Sequence, residues 1–310
     1  MAPPQPGILA LGTASHAYLE LDLTSSVDPA SAVARVASLR EPRTTIGGVN
    51  LVAGFRPELW ATVAPDASPP GLHGFKDPIV GPTGYTLPAT QHDVVIWLTG
   101  ASYDVVFDLS RDVVAALEDV ADLGHEVVGW PYHHDRDLTG FIDGTENPTL
   151  VEATEVALIP PGSPGEAGSI LLLQQWEHDV AAWEGLEVAS QEAVIGRRKA
   201  DSSELDPKPK ASHVARTDQE VFGRIFRRNI AYGSLTSHGT IFVGFSASQG
   251  ILARMLDSMV GRIGGTPDDL TRFTRPLSGG YYFIPAADRL AAIGADHRTR
   301  ARTGARTGDP

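Results

Sequence analysis

The 310-residue chain has no cysteine. That absence excludes disulfides, thiolate-held zinc, iron–sulfur clusters, cysteine-ligated haem and haem attached through Cys-x-x-Cys-His. Any metal must be held by His, Asp, Glu or a prosthetic group. Basic residues are also short, with 25 Lys and Arg against 38 Asp and Glu and a formal net charge of −13. Like charges repel, so neither nucleic acid nor an anionic membrane is an expected partner. No apolar run approaches the ~18 residues that a membrane-crossing helix needs. Met1 to Gly7 is Pro-rich and lacks the basic region of a secretory signal, which makes a cytoplasmic location the expectation. Beyond Asp296 the chain has no apolar residue other than Ala, and it carries Arg298, Arg300, Arg302 and Arg306. Residues 294–310 are therefore expected to form a disordered Arg-rich tail.

What is present reads as a repeat. His16 to Leu23 alternates apolar and polar residues, as a strand does. Asp28-Pro29 opens a helix with Val33, Val36 and Leu39 on one face, and Asn50 to Phe55 is a second strand. A Pro- and Gly-rich loop, Arg56 to Gln91, is long enough to suggest a lid or an interface arm. Val94 to Thr99 is a strand, Ser110 caps a helix through Val120, and Glu126 to Trp130 closes as a fourth strand. The second half runs likewise: strand Ser169 to Trp176, helix Trp183 to Ile195, strands Arg228 to Gly233 and Thr240 to Phe245, helix Ile251 to Val260, strand Tyr281 to Ile284. Both halves read β-α-β-β-α-β. The fold class expected is α+β, with duplicated ferredoxin-like (split βαβ) units and antiparallel sheets. Residues 1–150 form the first half, ending in a Gly-x-x-Asp-Gly loop, and residues 151–293 the second.

Chemistry gathers in three places. Gly140-Phe-Ile-Asp-Gly-Thr-Glu-Asn-Pro148 brackets Asp143 between glycines, which tolerate positive φ, and ends on an Asn-Pro turn signal. His213 follows the charged Lys199 to Lys210 loop and starts a short apolar stretch. In Ile225 to Gly233, Arg227 and Asn229 are two apart on a strand and share a face, fit to steady a charged or polarised ligand, while Arg228 points the other way. His133-His134 with Asp135 and Asp137 is a further possible metal cluster, of no recognisable zinc spacing.

Together these motifs resemble the dye-decolorizing peroxidases, in particular their class B bacterial branch. The resemblance runs from about residue 7 to residue 293 and includes Ile195-Gly-Arg197, Thr266-Pro-Asp268 to Phe273, and Gly279-Gly-Tyr-Tyr-Phe-Ile-Pro285. It implies a non-covalent haem b in the second half, with His213 as the axial iron ligand and Asp268 accepting a hydrogen bond from its other ring nitrogen. Asp269 is the neighbouring alternative for that acceptor. Asp143 and Arg227 are implied on the distal side with Asn229 assisting, Arg197 as a propionate partner, and Phe242 and Phe245 as walls.

The implied activity is that of a haem peroxidase. Hydrogen peroxide would oxidise bulky aromatic, dye-like or phenolic, or other small reductants through an oxyferryl intermediate. Asp143 would move the proton between peroxide oxygens as a carboxylate, with activity expected to be best at acidic pH. Arg227 would stabilise the developing negative charge, worth about 3–4 kcal/mol in comparable sites. Electrons from bulky reductants would hop through aromatics, with Trp60, Trp97, Trp130, Trp176, Trp183, Tyr103 and Tyr232 as candidates; the acidic net charge favours neutral or cationic reductants, metal ions included, and Glu146 beside the distal loop is a candidate for such a site. A homo-oligomer is expected. Delivery into a protein nanocompartment is not supported by the Arg-rich tail. The alternative function is a haem-handling protein, for delivery, storage or iron removal, that keeps a peroxidase-like pocket.

Overall fold

In a computed structural model, which describes residues 2–39, 48–133 and 135–304 (side chains through residue 295), the first half runs β1 (Ser15–Leu23), α1 (Pro29–Val36), β2 (Asn50–Phe55), α2 (Pro57–Val63), β3 (Ile79–Val80), β4 (Thr86–Leu87), β5 (Val94–Gly100), α3 (Tyr103–Leu117) and β6 (Ala121–Trp130). The second half runs α4 (Leu150–Ala157), β7 (Ser169–His178), α5 (Val180–Glu184), α6 (Val188–Ile195), α7 (His213–Arg216), α8 (Gln219–Phe222), β8 (Phe226–Arg227), β9 (Ile230–Gly233) and β10 (His238–Ser246). It ends with α9 (Gln249–Met259), β11 (Thr274–Pro276), β12 (Gly280–Ile284) and α10 (Ala287–Gly304).

Each half builds the antiparallel ferredoxin-like order. The first is β2-β5-β1-β6 and the second β12-β7-β10-β9. The halves then join at both edges. Phe283 on β12 pairs with Phe55 on β2, and Gly129 and Trp130 on β6 pair with Tyr232 and Ala231 on β9. Because β7 also pairs with β10, these strands close into a barrel with no free edge among them.

The period of two along each strand sorts side chains into three layers. Tyr18, Trp97, Leu171, Val243, Phe245 and Tyr282 fill the barrel interior. Leu19, Leu21, Ile96 and Leu98 face outward from the first half, onto α1, α2 and α3. Ile170 and Leu172 face outward from the second half, onto Leu252, Met255 and Leu256 of α9.

Several local expectations give way to tertiary context. The stretch from Arg56 to Gln91 is not loop throughout: it holds α2 and the β3–β4 hairpin, and Trp60, fully buried, packs on Phe55 and Phe283. Ser110 lies inside α3, its hydroxyl donating to the carbonyl of Val106 at 2.7 Å. The helix expected over residues 183–195 is two, broken after Gly185. The tail expected to be disordered from residue 294 is helical through Gly304, in keeping with its Ala and Arg content, and residues 305–310 lie outside the described residues. Among the described residues no helix is long and apolar enough to cross a membrane.

Trp60 tests whether this segment is core. Trp60→Ala is expected to cost about 3–5 kcal/mol, read as a lowered midpoint in denaturant unfolding; a surface arm would lose well under 1 kcal/mol.

Candidate active site

The outward face of β7 and β10 does not pack flush against the helices that cover it. Between them lies a cavity of about 1260 Å³, counting the open solvent at its mouth. Leu172, Trp176, Phe242, Leu252, Met255 and Met259 give it a mainly apolar wall. Most charged groups at its margin come from loops and short helices, and Arg227 comes from the two-residue strand β8.

His213 is the first residue of α7, and Ser212, wholly buried, caps that turn by accepting from the Ala215 amide at 3.4 Å. Its Nδ1 meets Asp268 Oδ2 at 2.6 Å. The Asp268 side chain is fully buried and fixed by a second bond, from the Leu270 amide to Oδ1 at 2.8 Å. This settles the choice between adjacent acids: Asp269 turns outward, 3.8 Å from Arg272. Burial pushes the imidazole pKa down, but the charge and hydrogen bond of Asp268 outweigh it and leave His213 above its ordinary value, with Arg227 opposing and Asp137 adding. With Nδ1 committed, Nε2 is the ring nitrogen left for a metal.

The Gly140 to Pro148 loop reaches the same cavity. Gly140 and Gly144 both take positive φ, +83° and +75°. A Cβ on Gly140 would also stand 2.9 Å from Lys199 Cε. The loop is held from outside by Arg136, whose Nη1 donates to the Gly140 carbonyl at 2.7 Å, and by Trp183, whose indole donates to the Thr139 carbonyl at 3.0 Å. Asp143 thus faces the cavity, with Oδ1 accepting from the Gly144 amide at 2.7 Å and lying 3.9 Å from Arg227 Nη1.

Arg227 and Asn229 both line the cavity, whereas Arg228 turns into the barrel, 5.2 Å from the Trp97 ring centroid. The strand there is interrupted between β8 and β9, and Asn229 Oδ1 accepts from the Val243 amide at 3.1 Å. Asn147 clamps the Arg227 backbone at two points, donating to its carbonyl at 2.8 Å and accepting from its amide at 2.9 Å. One loop therefore sets both the acid and the guanidinium.

Arg197 lines the cavity too, but its Nη2 is committed to Glu146 at 2.6 Å and Glu204 at 2.7 Å. The Nε atoms of Arg197 and Arg227 are buried without a partner, an arrangement that calls for an acceptor supplied by a ligand. Phe242 lines the cavity. Phe245 does not: three residues along β10 it points into the barrel, 5.8 Å from the Trp97 ring centroid. The odd spacing puts the two rings on opposite faces.

Of the candidate relay aromatics, Trp60 and Trp97 are buried in cores, Trp176 lines the cavity, Trp183 holds the loop, and Trp130 and Tyr103 are exposed. Tyr232 is buried. His134 lies outside the described residues, which include no His, Asp and Glu cluster able to hold a metal ion. Asp137 belongs to the cavity instead. Burial and the charge of Asp143 raise it to about 6 against hydrogen bonds from Thr139. Sequence reasoning missed the clamping role of Asn147, although its place at the end of the Gly-x-x-Asp-Gly motif was visible.

A closed pair of ferredoxin-like sheets thus carries, on one outer face, a mainly apolar cavity lined by a carboxylate-backed imidazole and by an acid beside a guanidinium. The Dyp-type peroxidase, C-terminal family matches residues 134–289. A dye-decolorizing peroxidase of Brevibacterium linens is 32% identical over 302 residues, covering 94% of this chain and 80% of its own length. One from Mycobacterium tuberculosis is 32% identical over 300 residues, covering 94% and 88%. Among solved structures, a Rhodococcus jostii RHA1 DypB variant in complex with haem has a TM-score of 0.86 at 34% identity, covering 94% of this chain and 99% of that one. The dye-decolorizing protein from V. cholerae has a TM-score of 0.83 at 32% identity, covering 93% and 99%. The chain belongs to the dye-decolorizing peroxidase family.

Asn147→Ala would leave the amide and carbonyl of Arg227 unpaired. It is expected to lower stability by about 1–3 kcal/mol, measured by chemical denaturation.

Proposed function

We propose that the cavity takes haem b non-covalently and that the protein uses hydrogen peroxide to oxidise bulky aromatic or other small reductants. The observation that carries this reading is the 2.6 Å contact between His213 and the buried Asp268, in a cavity that Asp143 and Arg227 also line. The residues fit the group: the wall is mainly apolar, as a porphyrin requires, and the unpartnered Nε atoms of Arg197 and Arg227 offer donors to anionic or polarised oxygens. When bound, haem would supply the iron at which peroxide is reduced by two electrons and to which a reductant returns them one at a time.

His213 would ligate through Nε2, and Asp268 would fix the tautomer and ring orientation and give the imidazole more anionic character. Asp143 would take the proton from one peroxide oxygen and return it to the other as the O–O bond breaks. Its Oδ1 is tied to the Gly144 amide, which leaves Oδ2 for that transfer. Arg227, held through its backbone by Asn147, would place a fixed positive charge where the departing hydroxide becomes negative. Asn229, tied to β10 through its carbonyl oxygen, would orient its amide group beside that charge. Arg197, already bridging Glu146 and Glu204, would hold the mouth of the cavity and one carboxylate of the prosthetic group.

The test is spectral. Haem-loaded protein should change its Soret band on one equivalent of peroxide, and Asp143→Ala with Arg227→Leu should slow that change by about 10²–10³-fold or more without loss of haem. His213→Ala should lose haem or its axial spectrum. A peroxide reaction of unchanged rate in the double variant would reject these roles and favour a haem-handling protein.

A further inference from the structure

The barrel interior holds a pair of titratable groups that the cavity chemistry does not use. Tyr282 on β12 donates its phenolic hydrogen to Glu20 Oε1 on β1 at 2.5 Å. Both are sealed from solvent, at 0% and 3% exposure. A buried acid is costly, and a well-packed apolar pair would hold such a barrel at least as well. The Gly279 to Pro285 motif, left without a role by the cavity, bears on this pair. A Cβ on Gly280 would stand 2.9 Å from Tyr282 Cε2 and 3.2 Å from its Oη, so the ring folds back along its own strand and the glycine makes room for it.

The pair lies behind the cavity wall. Tyr282 is in register with Leu171 on β7, and Leu172, the next residue, lines the cavity from the other face of the sheet. On the far side, Glu20 is in register with His125, whose Nε2 donates to Gln175 Oε1 at 2.9 Å. His92 and Asp22, paired at 2.9 Å, lead from the neighbourhood of Glu20 to the surface, where the Asp22 side chain is 52% exposed.

Burial, then the charge and hydrogen bond of Glu20, push the Tyr282 phenol well above its ordinary pKa, so it does not ionise by itself. Burial also raises the Glu20 carboxyl, which makes its carboxylate a stronger base. The Tyr282 hydrogen bond, His92 and His125 pull against that rise, and Asp22 adds to it. An electron can leave this phenol readily only if its proton leaves too, and Glu20 is the acceptor at hydrogen-bond distance.

We propose that Tyr282 and Glu20 form a proton-coupled one-electron relay site inside the barrel. It rests on the peroxidase reading, in which reaction of haem with peroxide supplies the oxidising equivalent. One electron passes from Tyr282 to the peroxide-oxidised haem, the phenolic O–H bond breaks, and a new O–H bond forms on Glu20 Oε1. A neutral tyrosyl radical is left beside a carboxylic acid. An electron from an aromatic reductant, with return of the proton from Glu20, restores both groups.

The experiment is freeze-quench electron paramagnetic resonance on haem-loaded protein after one equivalent of peroxide, with the Soret band followed in parallel. Tyr282→Phe keeps the ring. Glu20→Gln keeps an acceptor for the hydrogen bond but cannot take the proton, and so separates proton transfer from packing. The expected result is a tyrosyl signal in the unsubstituted protein that is lost in both variants while the Soret response is unchanged. A tyrosyl signal that persists in either variant overturns the relay. A Soret response without any tyrosyl signal in the unsubstituted protein overturns the relay alone, and no Soret response overturns the proposed function and the relay with it.

Discussion

The His213–Asp268 hydrogen bond is the constraint around which the second half is organised. A carboxylate with no exposed surface is tolerable only when its oxygens are satisfied, and here one takes the Leu270 amide and the other the imidazole. Meeting that demand fixes the turn after α9 against the start of α7. It also commits one ring nitrogen and leaves the other for chemistry. The polarity of the ring is therefore a product of folding, set before any ligand arrives.

A second anchor works from the opposite direction. The loop that ends the first half carries Asp143 toward the cavity, and its Asn147 amide grips the backbone of Arg227 in the second half. The acid and the guanidinium are thus linked by hydrogen bonds between the Asn147 side chain and the Arg227 main chain rather than by their own 3.9 Å contact, which is too long to fix either side chain. Closure of the barrel holds the two halves in register, so the joint survives only while the β2–β12 and β6–β9 seams do. Charge is placed with economy: the chain is acidic as a whole, yet its cavity gathers Arg197 and Arg227 where anionic oxygens would be bound.

Much of this was legible in the residues. The β-α-β-β-α-β rhythm of each half follows from short-range patterning, and so do the Asp143 loop, the shared face of Arg227 and Asn229 and the separate direction of Arg228. Phe242 and Phe245 were less readable, because both sit on one apolar strand and only the layers above and below it say which face is core and which is cavity. Trp60 sat in a stretch whose prolines and glycines outweighed its local helix, and packing on Phe55 and Phe283 decided the matter. Trp183 reads as one more aromatic until its indole is seen to hold the Thr139 carbonyl.

The sequence alone determined the layers and the chemistry on offer: which residues alternate, where glycine permits positive φ, and that no thiolate can ligate a metal. These are properties of neighbours along the chain. Tertiary structure decided that the two sheets close edge to edge, that Asp268 rather than Asp269 backs His213, and that Asn147 rather than Asp143 positions Arg227. It also brought Tyr282 to Glu20 across 262 residues of chain. Contacts at that separation depend on barrel closure and on which face each strand presents, and no local periodicity encodes the pairing of strands from different halves.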